Sequence, residues 1–195
     1  GNYTMTSSGG LTSNTSTLTM TGTSNTFNTD QQHYNVVINP SSTGTITANT
    51  NDFTISNALT VQTSDTFSLD SAVFITLSKT TGTVLTLNGI LSGSGWVSYA
   101  STTNFPTTGT ISVNLRMDTT NGNPRLSGRT YGGSVEAYNS GSTARVMYMG
   151  SSSGQTVTID GDLWINAAGT NYQYIYGTTY NPTVNIGGDL LYIGV

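Results

Sequence analysis

The sequence predicts an all-β protein, and within that class a parallel β-solenoid of roughly eight coils with 22–27 residues per coil. A strand-length unit recurs along the chain, as VTIDGDLWI at 157–165, VNIGGDLLY at 184–192 and LTLNGILSG at 85–93. Apolar residues alternate with polar ones inside each unit, and the spacing between units lies in the twenties. Alternation is typical of strands, and a period of this length is typical of solenoids.

The alternation assigns side chains to two faces of each strand. Val157, Ile159, Leu163 and Ile165 are predicted to point inward, and the polar residues between them outward. Gly161 interrupts the unit, which predicts a bend or bulge that glycine or asparagine adopts easily. The segment 53–61, FTISNALTV, fits the same pattern with Asn57 in the glycine position.

One inward position can be followed from unit to unit. The column that we predict consists of Ile38, Val61, Leu87, Val113, Ala137, Ile159 and Ile186. Between Val113 and Ile159 other apolar residues offer competing alignments, so the register there is a choice. Stacks of apolar side chains would then form the interior.

Composition agrees with many short strands joined by tight turns. Thr, Ser, Asn and Gly contribute 38, 24, 19 and 23 of the 195 residues, whereas 7% of residues are charged. Threonine suits strands, and glycine, asparagine and serine suit turns. A net charge of −4 with 34% apolar residues differs from the highly charged composition of disordered chains. Low charge with this polar usage is typical of extracellular, cell-surface repeats, and we expect that localisation.

Several partners and sites are excluded by residue type. There is no cysteine, hence no disulfide and no thiolate metal site. Lys79 is the only lysine, which argues against nucleic acid or an anionic membrane as a partner because phosphates require clustered cations. No 18-residue apolar run is present, so membrane insertion is not expected.

The chain divides at about residue 33. Residues 1–33 form a polar, threonine-rich segment that is expected to serve as a first coil or as a strand donated to another subunit, and residues 34–195 form the solenoid. Asn2 and Asn14 begin N-glycosylation sequons, which are frequent by chance in such a composition.

The segment 34–70, YNVVINPSSTGTITANTNDFTISNALTVQTSDTFSLD, resembles the β-repeats of large bacterial and archaeal cell-surface adhesin or filament proteins. The residues that carry the likeness are Tyr34, Val37, Ile38, Asn39, Ser42, Gly44, Thr45, Ile46, Thr47, Phe53, Thr54, Ile55, Leu59, Thr60 and Val61. It extends over about 34–97, returns at 156–194 and is absent from 114–153. The resemblance implies a parallel β-solenoid stalk without catalytic residues.

The search for catalytic chemistry is negative, and we expect a protein that is not an enzyme. His33, the only histidine, is predicted to lie in a solvated loop ahead of a strand. A polysaccharide-degrading β-helix enzyme would carry catalytic clusters on successive coils, whereas Asn28-Thr29-Asp30 occurs alone.

Two small clusters are candidates for binding. Asp160 and Asp162 are expected to share one face of a strand with Asp189 one coil away, where they would hold Ca²⁺ or else cap local turns; no other cofactor is expected. Tyr172, Tyr174 and Tyr176 alternate onto one face, near Trp164 in the sequence. Such aromatic rows serve either as sugar platforms for surface glycans or as ladders on a sheet.

Threonine clusters offer a further alternative, an ice-binding solenoid. Thr-x-Thr patterns occur at 17–23, 43–47, 108–110 and 156–158, without a constant spacing. An ice-binding plane requires the same flat row on every coil, and this function therefore ranks below a carbohydrate-binding adhesin module.

The leading expectation is a structural protein, a subunit or stalk segment of a cell-surface filament or adhesin that assembles through strand edges. Its partners would be copies of itself arranged head to tail or flanking repeats of the same polypeptide. The assembly residues are Leu190, Leu191, Tyr192, Ile193 and Val195, which are as apolar as an interior strand.

Overall fold

The computed structural model describes residues 2–5, 15–40, 42–177 and 180–194, and its regular elements there are β-strands. These strands stack in parallel as a β-solenoid of about eight turns, which confirms the predicted fold class. In the same ranges, no helix has the length and apolarity needed to cross a membrane. Asn14 and Val195 lie outside the described residues.

The strands are short, and most have four or five residues. In chain order they are β1 (Tyr3–Met5), β2 (Thr17–Met20), β3 (Ser24–Thr29), β4 (Gln32–Ile38), β5 (Thr45–Ala48), β6 (Phe53–Val61), β7 (Thr66–Leu69), β8 (Phe74–Leu77), β9 (Leu85–Leu87), β10 (Ile90–Gly93), β11 (Trp96–Tyr99), β12 (Thr110–Ile111), β13 (Asn114–Asp118), β14 (Arg125–Leu126), β15 (Thr130–Tyr131), β16 (Val135–Tyr138), β17 (Arg145–Met149), β18 (Thr156–Ile159), β19 (Leu163–Asn166), β20 (Gln173–Tyr176), β21 (Thr183–Ile186) and β22 (Leu190–Ile193).

The chain forms two compact units. Unit 1 consists of Gly1–Lys79, Thr83–Val97 and Thr108–Val113. One sheet of unit 1 has the strand order β1-β3-β5-β7-β10-β12, and a second contains β2-β4-β6-β8, with β9 also paired to β6. Strands that are neighbours in a sheet are therefore separated in sequence by a strand of another sheet, as a coiled path requires.

Unit 2 consists of Thr80–Gly82, Ser98–Thr107 and Asn114–Val195. Its strands stack in three series, β13-β16-β19-β22, β14-β17-β20 and β15-β18-β21. Each coil of this unit contributes one strand to each series, so three faces surround the interior.

The apolar interior of unit 1 is built of columns that run from coil to coil. Ile38 pairs with Val61 and Val61 with Leu87, which confirms the first part of the predicted column. All three side chains are fully buried. Burial of one such side chain contributes about 1.5–3 kcal/mol, so these columns supply much of the stability.

The predicted column is wrong in its two steps between Val113 and Ile159. Ala137 pairs with Met117 and Ile165, whereas Ile159 pairs with Tyr131 and Ile186 in a different series. The step from Ala137 to Ile159 therefore changes face. Paired positions are separated by as few as 18 residues, from Met20 to Ile38, and by as many as 28, from Val135 to Leu163, because the turns vary in length.

The unit 157–165 contains two strands rather than one. β18 ends at Ile159, β19 begins at Leu163, and the residues between them form a bend. Gly188 donates its backbone N–H to the carbonyl of Gly161 at 3.0 Å, so the two glycines are equivalent on successive coils, as predicted. Asn57 is not equivalent, since it lies inside the continuous strand β6.

Polar side chains on the outside of unit 1 are joined from coil to coil. Asn35 donates to Thr17 Oγ1 at 3.1 Å and accepts from Asn57 Nδ2 at 2.8 Å. Lys79 Nζ then donates to Asn57 Oδ1 at 2.7 Å. The abundant polar residues therefore form hydrogen-bonded ladders on the outside, as equivalent positions on neighbouring strands permit.

The described part of the 1–33 segment belongs to the solenoid sheets. β2 pairs with β4, β1 with β3, and β3 with β5, all in parallel. Asn2 is anchored there, because its Oδ1 atom accepts a hydrogen bond from the backbone of Thr26 at 3.1 Å.

Candidate functional site

The last coil of the described chain, which we call the C-terminal coil and which contains β20, β21 and β22, has an apolar interior face open to solvent. Its inward positions continue the core columns, since Val184 pairs with Val157 and Leu190 with Leu163. Val157 and Leu163 are 0% and 3% exposed, whereas Val184 and Leu190 are 38% and 62% exposed. The same alternation that buries a side chain one coil earlier leaves its equivalent uncovered here.

The C-terminal coil also ends three series of paired strands. β20, β21 and β22 are each the last strand in their order, with a neighbour on one side only among the described residues. Leu191, Tyr192 and Ile193 on β22 are likewise exposed. Four of the five predicted assembly residues therefore lie on an open strand edge, and the fifth, Val195, is outside the described residues.

The three predicted tyrosines share one outer face of β20 and the residue before it. Gln173 between them is 4% exposed, whereas Tyr172, Tyr174 and Tyr176 are 64%, 48% and 46% exposed. The rings of Tyr172 and Tyr174 lie 6.1 Å apart between centroids. Period-2 alternation therefore placed these side chains correctly.

A neighbouring coil extends this aromatic face. Tyr176 pairs with Tyr148 on β17, and Tyr148 pairs with Arg125 on β14. The Tyr148 and Tyr176 rings are 6.0 Å apart and nearly perpendicular. The Arg125 guanidinium carbon lies 4.0 Å from the Tyr148 ring centroid and 5.9 Å from that of Tyr180. We call the surface formed by Arg125, Tyr148, Tyr172, Tyr174 and Tyr176 the tyrosine surface.

Trp164 does not join the tyrosine surface. It lies on β19, where it pairs with Glu136 on one side and Leu191 on the other. Its indole Nε1 donates to Asp162 Oδ2 at 3.3 Å. The expected four-residue sugar platform is therefore divided between two series of strands, because residues 167–172 carry the chain to another face.

The predicted calcium ligands lie at a turn rather than on one strand. Asp160 and Asp162 belong to the bend between β18 and β19. Asp162 Oδ1 accepts the backbone N–H of Asp189 at 2.9 Å, so this carboxylate joins the turns of two successive coils. Within the described ranges, no three His, Cys, Asp or Glu side chains are grouped so that they could hold a metal ion.

The threonine clusters fall on different sheets. The 43–47 and 108–110 patterns reach β5 and β12, which belong to one sheet of unit 1, whereas the 17–23 pattern reaches β2 and the 156–158 pattern β18. Thr45 pairs with Thr66, but Ile90 follows in the next strand of that row and interrupts it.

The sequence did not indicate an ion pair with a buried carboxylate on the outward-facing side of the strands of unit 2. The neighbours of Glu136 in β16, Val135 and Ala137, point inward, so Glu136 points outward. Its side chain is nevertheless almost fully buried. Its carboxylate pairs with Arg116 Nε at 2.5 Å and accepts from Asn166 Nδ2 at 2.6 Å. The Arg116 guanidinium also packs over Tyr138 at 4.2 Å. Arg116 and Asn166 are 20 and 30 positions from Glu136, so the sequence does not show that they meet. The one sequence feature that points to this cluster is the single glutamate of the chain, at an outward strand position.

The expectation of a solvated loop for His33 is wrong. His33 lies in β4, is 4% exposed, and contacts the rings of Tyr3, Phe27 and Phe53. β4 begins earlier than expected, and a register shift between His33 and Asn35 reverses the alternation, so that His33 points inward. Burial lowers the pKa of His33 from its ordinary value.

Comparison of this chain with models of protein families, with curated proteins and with solved structures gave no match.

No relative indicates a role for this chain, so the candidate functions are based on two surfaces of the described residues. The first is the open interior face and strand edge of the C-terminal coil. The second is the tyrosine surface. The first is apolar and continuous with the core, and the second is aromatic and lies on the outside of the strands.

Proposed function

We propose that this chain is a structural segment of an extracellular, cell-surface stalk or filament, in which a β-coil of a second copy covers the C-terminal coil. The observation that carries the proposal is the solvent exposure of Val184 and Leu190 at positions whose equivalents one coil earlier, Val157 and Leu163, belong to the core columns. In a solenoid the apolar interior of one coil is covered by the next coil, and we propose that a second copy supplies that coil here.

A second copy has a suitable edge to offer. β1 and β2 each begin the strand order of their sheets in unit 1. Contact between this edge of one copy and β21 or β22 of another would continue the parallel pairing and add backbone hydrogen bonds to apolar burial. Such a head-to-tail contact is heterologous, and it propagates as a filament unless its rotation closes a ring.

Composition supports the cell-surface setting. A chain with 7% charged residues and abundant threonine, serine and asparagine places uncharged hydrogen-bonding groups outside, and these form ladders such as that of Thr17, Asn35 and Asn57. The resemblance of residues 34–70 to surface-protein repeats agrees with this setting. A structural role of this kind requires no catalytic residue and no cofactor.

A pair of substitutions on β21 tests the proposal. Val184 points toward the interior and Asn185 toward the outside of the same strand. Val184→Lys places a charge on the docking face, where burial without a partner is costly, and should abolish self-association. Asn185→Lys adds the same charge on the outer side and should leave association unchanged.

Sedimentation velocity over a range of concentrations measures the outcome, and circular dichroism checks that each variant is folded. We expect the mass of the wild-type species to rise with concentration and that of Val184→Lys to stay at the monomer value. A wild-type protein that remains monomeric at high concentration would contradict the proposal. So would a folded Val184→Lys variant that associates as strongly as the wild type.

A further inference from the structure

The tyrosine surface contains a cation for which the described part of the chain supplies no ionic partner. Arg125 lies on the outer face of β14, with its guanidinium carbon near the rings of Tyr148 and Tyr180. Its Nη1 atom is buried and has no hydrogen-bond partner among the described residues. Contact with aromatic faces compensates part of the desolvation of the guanidinium, but it supplies no counter-charge.

The sequence around this surface is free of carboxylates. Residues 119–135, 137–159 and 163–188 contain neither Asp nor Glu, although they include Arg125, Arg129 and Arg145. Glu136, the one acidic residue between 119 and 159, is buried and paired with Arg116.

Exposed aromatic rings lie two strands away from this cation, in the same series of paired strands. Tyr174 and Tyr176 are about half exposed and Tyr172 more so, on the strand series that includes Arg125. Tyrosine combines an apolar ring face with a hydroxyl group that donates and accepts hydrogen bonds. The two features together provide stacking, hydrogen bonding and one fixed positive charge.

We propose that the tyrosine surface binds an acidic carbohydrate chain, one whose sugar units bear carboxylates. Sugar rings would pack their C–H faces on Tyr174 and Tyr176, and the positive charge of the Arg125 guanidinium would attract a carboxylate. The guanidinium charge is delocalised and permanent, so it attracts a carboxylate without a hydrogen bond from the buried Nη1 atom.

The chemistry of the surface favours a sugar polymer over other anions. Nucleic acid requires several clustered cations to replace the counterions of its phosphates, and a single arginine among tyrosines does not provide them. An acidic peptide is commonly held by a strand edge or by a groove for its side chains. The tyrosine surface is instead the outer face of paired strands with rings on successive coils, which suits a chain of repeating rings.

Calorimetric titration with two hexasaccharides tests the proposal. The probes are an α-1,4-linked galacturonate hexamer, which carries a carboxylate on each sugar, and maltohexaose, which is neutral. Wild-type protein, at a concentration where sedimentation finds a monomer, should bind the acidic hexamer at least tenfold more tightly, and added salt should reduce this preference.

Variants assign the binding to this surface. Arg125→Gln should raise the Kd for the acidic hexamer at least tenfold and leave that for maltohexaose unchanged. Tyr174→Ala should weaken the binding of both. Lys79→Gln, which makes the same charge change in unit 1, is the matched control and should bind as the wild type does.

Three results would overturn the proposal: no binding of the acidic hexamer, equal affinity for the two hexamers, or unchanged affinity in a folded Arg125→Gln variant. Because the tyrosine surface lies on the outside of the strands, an absence of carbohydrate binding would not contradict the assembly proposal. Likewise, a wild-type protein that does not self-associate can still be titrated, so carbohydrate binding can be tested even if the assembly proposal is wrong.

Discussion

Gly161 and Gly188 lie where two successive coils approach each other closely. A Cβ atom on Gly188 would overlap Asp162 Oδ1 and lie 2.9 Å from the carbonyl carbon of Gly161. Among the described residues with positive φ, neither Gly161 nor Gly188 appears. The sequence located these glycines correctly, but the reason is close approach rather than an unusual backbone angle. Asn57 fits the same sequence pattern but lies inside the continuous strand β6.

The environment of His33 could not be predicted from the sequence alone. Its environment depends on a register shift in β4 and on rings contributed by β1, β3 and β6. Local polarity, with Gln31 and Gln32 before it, predicted a solvated residue. A bulge reverses the alternation without leaving any clear mark in the sequence.

Burial of His33 predicts a pH-dependent stability. Burial lowers the pKa of His33 in the folded protein, so the unfolded chain takes up this proton at a higher pH. The stability associated with the neutral ring is complete above about pH 6.5 and is lost as the pH falls toward the lowered pKa. Denaturant unfolding between pH 7.5 and 5 should show this loss in the wild type.

The comparison variant is His33→Leu, which removes the titrating group. Asp65, whose pKa is raised by burial, contributes a slope of opposite sign, but it does so in both proteins. The difference between the two curves therefore reports His33. Equal pH dependence in the wild type and the variant would contradict the assignment.

For the strands, alternation predicted correctly which side chains point inward, whereas the register between coils was not predicted reliably. Val157 and Ile159 are fully buried, as alternation predicted. The assignment of Ala137 and Ile159 to one column failed because turns of variable length separate strands on three faces. A period read from the sequence averages these lengths and cannot identify the face to which a given strand belongs.

The candidate surfaces illustrate the same limit. The alternation of Tyr172, Tyr174 and Tyr176 was readable because it lies within one segment. The contact of Arg125 with Tyr148, and the pairing of Arg116 with Glu136, join strands 20 or more residues apart. These contacts depend on register, so the sequence alone did not indicate them.

Neighbouring substitutions in β18 test the alternation directly. Ile159 is buried between Tyr131 and Ile186, whereas Thr158 lies on the outer side between Thr130 and Asn185. Ile159→Asp removes about 1.5–3 kcal/mol of apolar burial and adds an unpaired buried carboxylate, which costs still more. Thr158→Asp should change the free energy of unfolding by less than about 1 kcal/mol.

Thermal unfolding of the two variants gives the comparison. The Tm of Ile159→Asp should fall sharply, or the coils around β18 should fail to fold, while Thr158→Asp melts close to the wild type. Similar losses in both variants would mean that the two side chains do not lie on opposite faces.

For the whole molecule, the feature that the assembly proposal uses is the uncovered end of the interior columns in unit 2. The columns pass from coil to coil through Val157 and Val184, or Leu163 and Leu190, and reach solvent at the C-terminal coil. The apolar composition of residues 190–195 is the sequence signal of this feature. Composition alone does not place residues 190–193 on a strand edge with the inward face uncovered, because that placement depends on how the coils stack.

The most direct test of the assembly proposal is hydrogen exchange of the C-terminal coil at increasing protein concentration. Mass spectrometry of peptides covering 180–194 would follow β21 and β22, with peptides covering β5 and β7 as the internal reference. We predict that exchange of the 180–194 peptides slows as concentration rises, because a second copy covers the edge and the interior face, while the reference peptides stay unchanged. Exchange of 180–194 that is equally fast at every concentration would contradict the account.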